Sequence, residues 1–147
     1  MSQSVSAQTV NITRTDRILL VVGGCVVAAL LLTAGFLEPS PEGMGTHRQL
    51  GLPPCSFVRM FGKPCPACGM TTSWSHFMRG SFVRSATANP GGLMLAVIAM
   101  LASPWLIVSG IRGRWFIGPP SLRLATALAI IVPAVTLIQW IVRLNGS

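Results

Sequence analysis

Charge disappears from this chain in three long stretches. Ile18 to Leu37 is a run of twenty positions without a charged side chain, Leu93 to Ile111 is a second run of nineteen, and Leu124 to Val142 is a third of nineteen. A helix rises about 1.5 Å per residue, so some twenty residues cover the roughly 30 Å of a bilayer's hydrocarbon core. Each run therefore predicts a transmembrane helix. Between the first two runs the pattern changes: Met70, Trp74, Phe77, Met78 and Phe82 recur at i, i+4, i+7, i+8 and i+12, while Thr72, His76 and Arg79 fall on another face. That periodicity predicts an amphipathic helix lying against the bilayer or against the other spans, with Gly80 weakening or bending it.

The expected organisation is a polar tail over 1–17, a span over 18–37, a connector over 38–92, a span over 93–111, a basic connector over 112–123, a span over 124–142 and a short tail over 143–147. The fold class is thus all-α, a multi-pass integral membrane protein with three transmembrane helices plus an amphipathic interfacial helix in the first connector. The Ser/Gln/Thr-rich positions 1–11 read as disordered. A cleaved signal peptide competes for the first run, because Arg14 and Arg17 precede it and Leu32-Thr33-Ala34 is cleavage-like. Its length exceeds the usual apolar core of a signal and favours an anchor. Cys25, in Val22-Gly23-Gly24-Cys25, could belong to a lipoprotein cleavage box, but too few apolar residues precede it, and it is read as a packing or lipid-facing residue.

Composition sharpens this picture. The chain of 147 residues is 51% hydrophobic and 10% charged, with mean hydropathy +0.64. Eleven Lys+Arg against three Asp+Glu give a net charge of +8, and the acids Asp16, Glu38 and Glu42 all precede position 43. Most acid–base, two-metal and Ser-His-Asp chemistries need a carboxylate near the working group, so most hydrolases are excluded. Arginines spread over membrane-flanking loops without interleaved aromatics argue against nucleic acid as a partner. Arg14, Arg17, Arg112, Arg114 and Arg123 outweigh Arg79, Arg84 and Arg143 near the span ends. By the positive-inside rule the N-terminus is cytoplasmic and the long connector lies outside. Within the spans, Pro104 and Pro133 are expected to kink their helices. The neighbouring Ser103 and Thr136, with Gln139, read as helix-packing groups, or as a ligand site at the kinks. Trp105, Trp115 and Trp140 lie in or near the spans, Trp115 as an interfacial anchor.

The chemistry concentrates in the long connector, in Pro64-Cys65-Pro66-Ala67-Cys68-Gly69-Met70-Thr71-Thr72, with Cys55 upstream after Pro53-Pro54. Three readings stand open. In a thiol–disulfide oxidoreductase, Pro66 would take the first helical position and Cys65 the N-cap, where backbone N–H groups favour a thiolate, with Cys68 resolving. In a zinc site, Cys65 and Cys68 have ligand spacing, and Cys55 with His76 would complete a Cys3His set. His76 also reads as an exposed residue of the polar helix face, and His47 as a loop residue beside Arg48. In a structural staple, Cys55 pairs with Cys65 or Cys68 and the prolines and Gly69 make a compact turn.

The Cys-Pro-Ala-Cys-Gly-Met-Thr run, with Arg79-Gly80 and Ala88-Asn89-Pro90 before a span, resembles the bacterial membrane proteins catalogued as domain of unknown function 2752; Thr72 stands where that family commonly has arginine. The resemblance implies a small multi-pass protein of a bacterial cell membrane and supplies no activity. No residues form a complete catalytic set. The leading expectation is therefore a non-catalytic membrane assembly or interaction component with a cysteine-stapled connector and no cofactor. The bilayer and another membrane protein are its expected partners. Redox chemistry at Cys65 and Cys68, or zinc on Cys55, Cys65, Cys68 and His76, are the alternatives.

Overall fold

The computed structural model describes residues 12–145, which leaves the expected disorder of positions 1–11 outside the described residues. They are all-helical with no strand, in the order α1 (Arg14–Phe36), a 3-10 turn η1 (Thr46–Leu50), α2 (Ser56–Phe61), α3 (Met70–Met78), α4 (Phe82–Ala88), α5 (Pro90–Arg112) and α6 (Leu122–Asn145). Among them α1, α5 and α6 are long and apolar enough to cross a membrane.

The first span starts ahead of its apolar run because Thr13 and Asp16 form a capping box: the Asp16 amide donates to Thr13 Oγ1 and the Thr13 amide to Asp16 Oδ2, each at 3.2 Å. Arg14 and Arg17 are thereby helical. Arg17 reaches the far end of α5, donating from Nε to the Gly110 carbonyl at 3.0 Å and from Nη2 to that of Ile111 at 2.8 Å. These carbonyls belong to the last turn of α5, where that of Gly110 also accepts from the Gly113 amide at 3.3 Å, so a flanking charge also fixes α1 antiparallel to α5. The two helices approach through small residues. A Cβ at Gly24 would lie 2.6 Å from Ile107 Cγ1 and 2.9 Å from the Ser103 carbonyl, and one at Gly110 would lie 2.8 Å from the Arg17 carbonyl. Ser103 thus sits at a helix crossing, and α5 runs unbroken through Pro104.

The core is Leu31, Ala96 and Ala99, with Val27, Trp74, Phe77 and Met78 packed on it. Leu19, Val22, Leu30, Leu101, Ile130 and Ile138 point outward, as lipid-facing positions should. Helix α6 buries only Val132 and Thr136. Thr136 packs against Gly91 at the start of α5, where any side chain would collide with its hydroxyl. Trp115 stacks on Trp105 with centroids 5.2 Å apart, at the end of α5 remote from the long connector.

The amphipathic segment differs from the single helix expected. Helix α3 stops at Met78, Gly80 takes φ +72°, and α4 starts at Phe82, with Phe77 and Phe82 meeting edge to face at 5.6 Å. Only glycine adopts that backbone at no steric cost, so the weak point is a corner. The apolar side of α3 packs on the spans, and its hydroxyl side is buried as well: Thr72, Ser73 and Ser75 are inaccessible to solvent. Each is satisfied. Thr72 shares a hydrogen bond with Thr46 at 2.8 Å, Ser75 donates to the Leu37 carbonyl at 2.5 Å, and Ser73 donates to the Asn89 carbonyl at 3.0 Å while meeting Ser85 at 2.9 Å.

Asn89 joins these elements. It caps α5 by accepting from the Gly92 amide at 2.9 Å, with Pro90 in the first turn, and its Nδ2 donates to the carbonyls of Pro66 and Cys68 at 3.2 and 3.3 Å. Losing a cap costs about 1 kcal/mol, and orphaning a buried acceptor about 1–3 kcal/mol. Asn89→Ala is expected to destabilise the protein by roughly 2–4 kcal/mol. Asn89→Asp, which keeps the cap acceptor but cannot donate, should not restore it. Thermal unfolding of the detergent-solubilised variants checks this, and an unchanged midpoint for both would contradict it.

Candidate metal centre

Gly69 sets the geometry of the cysteine segment. It takes φ +90°, and a Cβ there would lie 2.5 Å from the Ala88 carbonyl and 2.8 Å from that of Gly43, so the chain can cross the end of α4 only with glycine. Helix α3 therefore begins at Met70 with Gly69 as its N-cap, and residues 66–69 form a turn. This corrects one expectation: Cys65 is not a helix N-cap, Pro66 is not in a first helical turn, and Cys68 is not helical. The cysteine at a helix N-cap is Cys55, before α2.

The turn folds the pair together. The Cys68 amide donates to the Cys65 carbonyl at 3.0 Å, and the Cys65 amide donates to Cys68 Sγ at 3.2 Å, with the two Sγ atoms also 3.2 Å apart. Cys55 joins them from ten positions upstream, all three Sγ lying within 4.8 Å of one another. Its segment is held by α6: Trp140 Nε1 donates to the Pro64 carbonyl at 2.7 Å and its ring meets Phe57 edge to face at 6.3 Å. Arg143 donates to the carbonyls of Ala88, of Thr87 at 3.1 Å and of Cys68 at 3.4 Å. These contacts put the C-terminal end of α6 on the connector's side of the spans.

The three thiols are chemically unlike. The amide of Val58, then that of Phe57, favours the thiolate of half-buried Cys55 over the desolvation that opposes it, and lowers its pKa below the ordinary value. Burial pushes the Cys68 thiol up to about 12, and the hydrogen bond with Cys65 adds to the shift. The three cysteines lie close enough to hold a metal ion.

The other sequence candidates divide. His76 is not part of the thiol cluster; it lines a separate cavity with Arg79, Arg84 and Arg143. His47, dismissed as a loop residue, lines the cavity of about 410 Å³ beside the cysteines, together with Glu42 and Arg48. No spacing rule marks it, since seven residues, partly the 3-10 turn η1 and partly irregular chain, separate it from Cys55. Asn89 and Arg143 were also missed as site-building residues. The Asn-Pro step before an apolar run is a legible cap signal, whereas Arg143 offers only a basic span end.

Residues 55–103 match the model of a family described as protein of unknown function (DUF2752). The resemblance noted from the sequence is thereby borne out, over the three cysteines, α3, α4 and the first part of α5. No curated protein and no solved structure matches the chain.

In protein kept reduced and free of metal, alkylation should follow the thiolate order. Cys55 should react at lower pH than an ordinary thiol, and Cys68 should stay protected until the protein unfolds or the pH approaches its raised value of about 12. Mass spectrometry of modified peptides across pH checks this, and equal labelling of Cys55 and Cys68 at neutral pH would contradict it.

Proposed function

We propose that this chain is a non-catalytic component of a membrane assembly whose connector is locked by one zinc ion on Cys55, Cys65 and Cys68. The observation that carries the reading is the convergence of three thiols. A disulfide staple and a CxxC redox pair each need two, and neither accounts for a third brought to the same point from ten positions away. Zinc–sulfur bonds of about 2.3 Å in a tetrahedron put sulfurs about 3.8 Å apart, a spacing the cluster meets with small movements. A metal also offsets the burial that opposes a Cys68 thiolate.

His47 is the imidazole in the adjoining cavity; it lies outside the cluster of three thiols, as His76 does, and would become the fourth donor only by moving toward them, giving a set of Cys55, Cys65, Cys68 and His47. A closed set is a structural one: it ties η1, α2 and the turn before α3 into one unit at the ends of the spans, presented to a membrane partner. The arginine distribution supports a bacterial membrane protein with a cytoplasmic N-terminus and the connector outside. A second reading, thiol–disulfide exchange, is favoured by the asymmetry between Cys55 and Cys68, with Cys55 as the attacking thiol.

Protein purified under reducing conditions should hold about one equivalent of zinc, and Cys68→Ser should lose both metal and thermal stability, because site formation and folding are coupled. His47→Ala should weaken zinc retention by about tenfold or more, the least expected when even an outer-shell partner costs that much, while His76→Ala should leave it unchanged. Elemental analysis with a chelator competition measures both. Zinc-free protein would overturn the metal reading, and a mixed disulfide with a defined partner on Cys55 would establish the second.

A further inference from the structure

A cavity of about 770 Å³ opens beside the metal centre and is used by none of the chemistry above. Arg79, Arg84, Arg143, His76, Ser81 and Thr87 line it from α3, α4 and the end of α6, and the segment 39–44 closes its other wall. Three arginines line it against one acid, Glu42. Backbone carbonyls hold two of the guanidiniums in place. Arg79 Nη2 donates to the Leu37 carbonyl at 3.0 Å, and Arg143 donates to the carbonyls that end α4. A carbonyl orients the Arg79 guanidinium without cancelling its charge, and its five donors leave others to point elsewhere. The Arg84 side chain has no hydrogen-bond or ion-pair partner among the described residues; its backbone carbonyl accepts from Thr87 Oγ1 at 2.9 Å.

His76 reports the field in the cavity. Burial, then Arg84, then Arg79 hold its imidazole below the ordinary pKa, with no acid acting in the opposite direction. The position matters as much as the charge. The cavity lies where α1 ends at Leu37 and α6 ends near Arg143, at the connector-side ends of the spans. With these helices crossing a bilayer, their ends lie near lipid headgroups, whose phosphates attract basic side chains. Arginine forks suit a phosphate's paired oxygens, and serine and threonine hydroxyls add donors.

We infer that this cavity is an anion site for a phosphate-bearing ligand, recognised by Arg79 and Arg84 at the membrane boundary. The phosphate comes from an anionic phospholipid headgroup or from solution, and the site is separate from the thiol cluster. No bond is made or broken there.

The full-length protein in detergent is tested with two probes. Native mass spectrometry compares retention of phosphatidylglycerol with that of phosphatidylcholine, and thermal shift measures stabilisation by inorganic phosphate. Preferential retention of phosphatidylglycerol alone identifies the headgroup as the source, and stabilisation by phosphate that also displaces the lipid identifies a soluble one. In either case Arg84→Gln, which removes no structural contact, should weaken binding by about tenfold, the worth of one charge-assisted hydrogen bond. Arg59→Gln, the same loss of charge outside the cavity, should leave it unchanged. Failure of both probes to bind would overturn the site. So would equal weakening by the two variants, which would mean diffuse attraction to a basic surface.

Discussion

Polar groups buried where a connector meets membrane helices have no water to fall back on, and here all the buried hydroxyls of α3 find a partner within the protein while the Trp74 indole N–H does not. Asn89 is where those obligations meet. One side chain caps the second span and holds the carbonyls of Pro66 and Cys68, and its own carbonyl receives Ser73. The arrangement of α3, α4 and the cysteine turn follows from it. Ser73 and Ser85 fix α3 against α4, Gly69 lets the chain pass the end of α4, and Arg143 closes the same carbonyls from α6. Because Asn89 holds the turn by its backbone, the thiol side chains are left free to converge.

The two ends of the bundle are built on different rules. At the connector end, hydroxyls, an amide and two arginines satisfy backbone carbonyls around an ordered unit. At the other end Arg17 and the Gly113 amide cap α5, with Trp115 stacked on Trp105. Between them, α1 and α5 meet through Gly24 and Gly110, since lipid offers no hydrophobic drive and close van der Waals approach must hold the pair. Helix α6 touches little along its length and is secured near its end by Trp140 and Arg143, so the connector and the third span each hold the other in place.

The spans were legible because lipid permits few solutions: a long run without charge has to be a helix. The fate of α3 was not. Thr72, Ser73 and Ser75 look like a wetted face, and their partners Thr46, Leu37 and Asn89 lie 26, 38 and 16 positions away, beyond what periodicity can see. The cysteine segment was legible in part. Thiols are few enough for Cys55 to be grouped with Cys65 and Cys68 by type alone. The preference of proline for a first helical position misplaced the helix start, because the close approach of Gly69 to Ala88 outweighs that preference. The placement of the histidines was hidden for a related reason. His76 is nearer to the cysteines along a presumed helix face, but the turn at 66–69 and the burial of Thr72 rotate it toward the arginines, and a loop residue, His47, lines the thiol cavity instead.

The account rests on the three cysteines acting as one ligand set, held by a backbone that Asn89 and Gly69 position. X-ray absorption at the zinc edge on the purified protein addresses that directly. The expected result is a shell of three sulfurs at about 2.3 Å and one nitrogen at about 2.0 Å. A shell of nitrogen and oxygen alone, or of two sulfurs with Cys55 replaceable by serine at no change in the spectrum, would contradict it.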